Sequence, residues 1–173
     1  MLAIIVKGTK LEIEHILDRS YPEKSLFEFR LDLMDREALE ALSELIQKAQ
    51  LPIILTLRSV GHGGQFKGGE KKRRALLFSY LSLKVDYVDL EFDIDPVFAQ
   101  KVKNAYPKTR IIASFHDLKK TPKDLDRVFE EMHSFPADIY KICTHAQTTI
   151  DSLRMLDFTQ KKRKEKKAVA GMC

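Results

Sequence analysis

RIIASFHDLKKTPKDLDRVFEEMHSFPADIYKICT, residues 110–144, carries a strand, a helix and the next strand in one run. Arg110–Phe115 and Asp138–Ile142 are short, apolar and rich in β-branched residues, the composition of buried strands. Between them Leu125, Val128, Phe129 and Met132 recur at i, i+3, i+4 and i+7, the stripe of an amphipathic helix. Thr121-Pro122-Lys123-Asp124 sets its start, as an N-cap residue followed by proline at the first helical position. A strand, a crossover helix and a second strand form the repeating unit of a parallel sheet.

The same unit recurs in both directions. Leu2–Val6, Leu26–Leu31, Ile53–Leu57, Tyr87–Glu91 and Ala168–Met172 are further strand candidates, spaced roughly 30 residues apart as βα units are. Residues 36–49 read as one helix with Leu39, Leu42, Ile46 and Ala49 on its apolar face, and Asp95-Pro96 opens another. Lys67–Leu83 begins charged and ends apolar with helical spacing at Leu77, Tyr80 and Leu81. No segment rich in Pro, Gly or Ser divides the chain, so a single domain over 1–173 is expected. Repeated βα units close into a (β/α)8 TIM-type barrel or spread into a doubly wound sheet. No Gly-rich phosphate loop follows the first strand, which disfavours the dinucleotide-binding sheet. Polar residues recur at strand ends, and a barrel gathers those ends into one mouth.

Composition excludes several classes. Hydrophobic residues make up 44% and charged residues 32%, a globular balance, and no apolar run is long enough to span a membrane. Cys143 and Cys173 suggest neither a disulfide framework nor a metal site. With no leader-like N-terminus, a reducing cytoplasm is the expected location. The net charge of +5 sits largely in KKRKEKK at 161–167, read as a solvated helix end or loop. Stacking aromatics do not interleave it, so no nucleic-acid partner is expected.

The chemistry-bearing residues lie in the strands. Glu28 and Arg30, spaced i, i+2, share one face, and Phe27, Phe29 and Leu31 share the other. They form either an internal ion pair or a polar pair lining the mouth. Arg58 closes PIILTLRS, where a guanidinium can hold a carboxylate in bidentate fashion. His62 and the glycines at 61, 63, 64, 68 and 69 follow, read as a mobile loop over the mouth. His116 ends a strand, shares a face with Ser114, and has an imidazole suited to general acid–base work. Asp89 and Glu91 either orient a catalytic group or balance interior charge. Lys141, within ADIYKICTHA, is a lysine inside a strand. An ordinary lysine at pKa ~10.4 is neutral about once in 2,500 at pH 7. Burial in a barrel favours the neutral amine, which attacks ketones and aldehydes to form a Schiff base.

FEFRLDL, PIILTLRS followed by GGQFKG, YVDLE, IIASFHDLKKTP and ADIYKI, in this order, resemble the type I 3-dehydroquinate dehydratases, and VAGM resembles the start of that family's seventh-strand motif. The resemblance implies a TIM-type barrel and a hydro-lyase of the shikimate pathway that converts 3-dehydroquinate to 3-dehydroshikimate and water. It implies that Lys141 forms the imine and His116 moves protons. Glu28 and Arg30 would hold ring hydroxyls, Arg58 would position the substrate, and Met172 would pack near its ring. His62, in the loop after the Arg-Ser pair, and Glu91, from the strand pattern, are candidates for supporting the site. The iminium itself is the electron sink, so no cofactor and no metal are expected. The partner expected is the small-molecule substrate, with no membrane and with a homodimer left open.

Two departures bear on these expectations. His62 stands where the family usually carries a glutamate and cannot supply the same negative charge. The family also continues beyond Gly-Met-Cys into a Ser-Arg pair and a closing loop that bind the substrate carboxylate. About seven barrel strands are therefore expected here, with the C-terminal strand and helices missing; if the protein truly ends at this point, weak folding and very low activity are expected. Two alternatives stand beside the dehydratase: an inactive remnant of that family, and another class I Schiff-base barrel of the aldolase type.

Overall fold

The computed structural model describes residues 2–173. Strands and helices alternate along them: β1 (Leu2–Gly8), α1 (Lys10–Leu17), β2 (Ser25–Met34), α2 (Arg36–Glu40), α3 (Leu42–Lys48), β3 (Ile53–Thr56), α4 (Glu70–Tyr80), β4 (Tyr87–Glu91), α5 (Pro96–Ala105), β5 (Arg110–Asp117), α6 (Leu125–His133), β6 (Ile139–Thr144), α7 (Thr149–Lys164) and β7 (Val169–Met172). All seven expected strands are present, with ends moved by at most three residues. No helix among the described residues is long and apolar enough to cross a membrane. The chain forms two compact units: residues up to Asp89 with Tyr106–Thr109, and Leu90–Ala105 with Arg110–Cys173.

In the first unit β1, β2, β3 and the start of β4 run parallel in chain order. Strand β2 is buried on both faces, as parallel strands are. Phe27 and Phe29 form its apolar face, and Tyr21 meets the Phe27 ring edge-on at 5.5 Å. The single helix expected over 36–49 is two. Ala41 interrupts it, and the buried face is Ala38, Leu42, Leu45 and Ile46. The break rotates the apolar stripe, so Leu39 and Ala49 are only half-buried.

In the second unit β5, β6 and β7 are parallel. The Asp138 carboxylate accepts the Ile111 N–H at 2.7 Å, while the Asp138 N–H donates to the Ile111 carbonyl at 2.8 Å. This reciprocal pair sets the starting register of β5 and β6. Helix α6 buries Leu125, Phe129 and Met132 from the expected stripe. Its start differs from expectation, because Asp124 is the N-cap, accepting the Arg127 N–H at 2.9 Å. Thr121 is buried instead, its hydroxyl 2.9 Å from that of Thr144. Thr-Pro therefore closes the loop after β5, and the aspartate three residues on starts the helix.

The basic run at 161–167 is not uniformly solvated. Lys162 is 5% exposed, pairs with Asp126 at 2.8 Å and Glu165 at 3.3 Å, and lies 4.7 Å above the Phe129 ring. The Asp126 carboxylate beside it raises its pKa, against the opposing effect of burial. Helical phase explains the exception: Met155, Phe158 and Lys162 form the buried stripe of α7.

Candidate active site

Strand register in the second unit assembles one set of reactive groups. Ser114 on β5 is level with Lys141 on β6, and Lys141 is level with Ala170 on β7. One step further along, His116, Cys143 and Met172 are level. Residues two apart on a strand share a face, so Ser114, His116, Lys141, Cys143 and Met172 all lie on one face. The opposite face of β6 buries Tyr140 and Ile142. Ser114 is fully buried, His116 and Lys141 are half-buried, and Met172 is exposed. Adjacent strands lie about 4.8 Å apart and two residues span about 6.6 Å, so the Lys141 and His116 backbones are roughly 8 Å apart. That separation lets an amine on a four-carbon stem and an imidazole flank the same small molecule. Glu91 ends β4 and is buried, and the next residue's N–H, that of Phe92, donates to the Ser114 carbonyl at 3.0 Å. Cys143 was not singled out from sequence. The cue for it was present, since Lys-x-Cys on a strand puts the thiol on the lysine's face.

The first unit holds a second polar group. Arg30, Thr56 and Asp89 are level across β2, β3 and β4. Glu28 is buried and accepts the Thr56 hydroxyl at 3.0 Å. Arg58 is buried, and its guanidinium meets Asp89 at 2.8 Å, with side-chain exposures of 4% and 0%. The Arg58 guanidinium is a charge partner for the Asp89 carboxylate. Arg30 forms a fork with Asp32, Nε to Oδ1 at 3.0 Å and an Nη to Oδ2 at 2.8 Å. Asp32 was missed in the sequence. It shares the face of Glu28 and Arg30, and the same i, i+2 count would have found it. Burial pushes its carboxyl upward. The Arg30 guanidinium and the Arg58 and Gln65 N–H groups outweigh that and hold it below the usual aspartate range. Arg73, also missed, is a buried arginine of α4 that donates to the Leu57 carbonyl at 3.2 Å.

The glycine-rich segment expected to form a mobile loop is hydrogen-bonded over residues 58–66. The Gly64 N–H donates to the Ser59 carbonyl at 2.8 Å and the Phe66 N–H to the Arg58 carbonyl at 3.2 Å, which closes residues 58–66 on themselves. His62 ends a short 3-10 turn within it and is half-buried. Gly63 has φ of 82°, a conformation open to glycine at no steric cost. Gly64 permits a close-packed bend, because a Cβ there would stand 2.1 Å from the Arg58 carbonyl oxygen.

Parallel strands joined by helices, with arginines, a histidine and a lysine on the strands, define an α/β chain of the TIM-barrel class. The sequence identifies the lineage more narrowly: the family model for type I 3-dehydroquinase matches residues 3–173, and the chain belongs to that family. It is 38% identical over 144 residues to the 3-dehydroquinate dehydratase of Methanosarcina barkeri, covering 76% of this chain and 58% of that protein. It is 37% identical over 140 residues to the chloroplastic bifunctional 3-dehydroquinate dehydratase/shikimate dehydrogenase of Arabidopsis thaliana, covering 79% of this chain and 23% of that protein. The chain thus spans less than two thirds of the length of these curated relatives. Among solved structures it resembles the type I 3-dehydroquinate dehydratase of Clostridium difficile, crystallised with covalently modified comenic acid. The TM-score is 0.80 at 25% identity, over 93% of this chain and 69% of that one.

Proposed function

We propose that this chain carries the chemistry of a 3-dehydroquinate dehydratase, a hydro-lyase that forms 3-dehydroshikimate and water through a lysine Schiff base. The observation that carries the reading is the shared strand face of Lys141 and His116 within a chain of this family. The Lys141 amine attacks the substrate ketone carbon, and loss of water leaves an iminium. The iminium draws electrons from the adjacent carbon, and His116 removes a proton there to give an enamine. The enamine electrons then expel the β-hydroxyl, to which the same imidazole returns the proton, so the hydroxyl leaves as water. Hydrolysis of the conjugated imine frees Lys141 and the product. Glu28, Arg30 and Arg58 take the roles the family implies, holding ring hydroxyls and positioning the substrate, and Met172 packs against the ring.

The test is borohydride reduction of the chain mixed with 3-dehydroquinate, followed by intact-mass and peptide mass spectrometry. The expected result is a stable adduct on Lys141 that Lys141→Arg abolishes. A folded chain that gives no adduct with substrate at high concentration refutes the reading and leaves a non-catalytic member of the family.

A further inference from the structure

Four N–H donors converge on the fully buried carboxylate of Asp32. Oδ1 accepts from Arg30 Nε at 3.0 Å and from the Arg58 backbone N–H at 3.2 Å. Oδ2 accepts from an Arg30 Nη at 2.8 Å and from the Gln65 backbone N–H at 3.1 Å. Each oxygen therefore joins Arg30 to one foot of the 58–66 loop. A buried aspartate that offers only acceptors, facing only donors, is fully matched as an anion and by no neutral side chain of its size. Backbone bonds from Gly64 to Ser59 and from Phe66 to Arg58 close the loop on itself, and the Asp32 carboxylate ties its two feet to β2.

We infer that Asp32 is the positioning residue that couples the Arg30 guanidinium to the 58–66 loop, so that the substrate-facing arginine and the loop are ordered together. The inference rests on the dehydratase reading for the substrate role of Arg30. It adds a residue and a linkage that this reading does not contain. A guanidinium held by a two-bond fork has lost its rotamer freedom before substrate arrives, and preorganisation of that kind favours binding. Asp32 also holds the Arg58 backbone N–H, while the Arg58 guanidinium is held by Asp89.

Asp32→Asn tests this at constant size. In either orientation its NH2 group faces two donors, so two of the four bonds are lost. The expected result has two arms. Amide exchange at Gln65 rises about tenfold, equivalent to about 1.4 kcal/mol, while the Phe29 and Leu55 amides of β2 and β3 stay as in the parent. KM for 3-dehydroquinate rises about tenfold with kcat within about threefold, a split that general loss of packing does not produce. Unchanged Gln65 exchange, or faster exchange with an unchanged KM, overturns the coupling. Arg30→Lys is the second variant and serves if Asp32→Asn does not fold. Lysine cannot form the fork, and the Arg30 side-chain hydrogen bonds among the described residues go to Asp32, so faster exchange at Gln65 supports the coupling and parental exchange overturns it. The exchange arms need no substrate. A parent chain that forms no Lys141 adduct refutes the dehydratase reading and leaves Arg30→Lys to decide the linkage.

Discussion

Replacing Gly64 with alanine puts a methyl group where the backbone has left no room. A Cβ built there stands 2.1 Å from the Arg58 carbonyl oxygen and 2.5 Å from both the carbonyl carbon and Cβ of Arg58. Ordinary heavy-atom contacts lie near 3.5 Å, so the two arms of the loop must part by about 1 Å or more. That separation breaks the Gly64 bond to Ser59 and the Phe66 bond to Arg58, and it draws the Gln65 N–H away from Asp32. Two neutral hydrogen bonds at about 1 kcal/mol each and one to a carboxylate at about 2 kcal/mol amount to about 4 kcal/mol. The assay is equilibrium urea unfolding, with Gly61→Ala as the control, since a Cβ at Gly61 meets nothing nearer than 3.9 Å. The midpoint should fall for Gly64→Ala and stay within about 0.5 kcal/mol of the parent for Gly61→Ala. Equal stability of the two variants refutes the view that 58–66 is a close-packed, hydrogen-bonded loop.

Three further outcomes are expected. Arg58→Met leaves the buried Asp89 carboxylate without this guanidinium and should lower unfolding free energy by about 3 kcal/mol; a second change, Asp89→Asn, should restore part of it in the same assay. Lys162 has its pKa raised above the ordinary lysine value of 10.5, chiefly by its hydrogen bond to Asp126. Its contribution to stability is complete below that value and is lost as pH rises through the higher folded value, so thermal melts of the parent should fall more steeply above pH 10.5 than those of Lys162→Met. Asp32 has its pKa lowered below 3.8, burial being outweighed by Arg30 and two backbone N–H groups. Its contribution is complete above that value and disappears as pH falls through the lower folded value, so the exchange rate at Gln65 should show an acid transition below pH 3.8 that Asp32→Asn lacks.

The alternation of strands and helices was legible along the chain because buried strands and amphipathic helices impose periods of two and about 3.6 that neighbouring residues display directly. The same count placed His116 on the face of Ser114 and made Lys141 conspicuous, since a lysine within a strand has no ready solvent. Other features depended on partners far along the chain. Nothing local to Asp32 says that its acceptors meet the backbone at Arg58 and Gln65, because those contacts arise only when β2 and β3 pair. Lys162 reads as one basic residue among several until α7 packs on α6 and sets it over Phe129. A glycine such as Gly64 is consistent with slack or with tight packing; the Arg58 backbone lying against it chose tight packing there. Cys143 acquires a place beside His116 only through the register of β5 and β6. Local periodicity is written residue by residue, whereas burial, pairing and register are relations between segments, and they come into being when the segments meet.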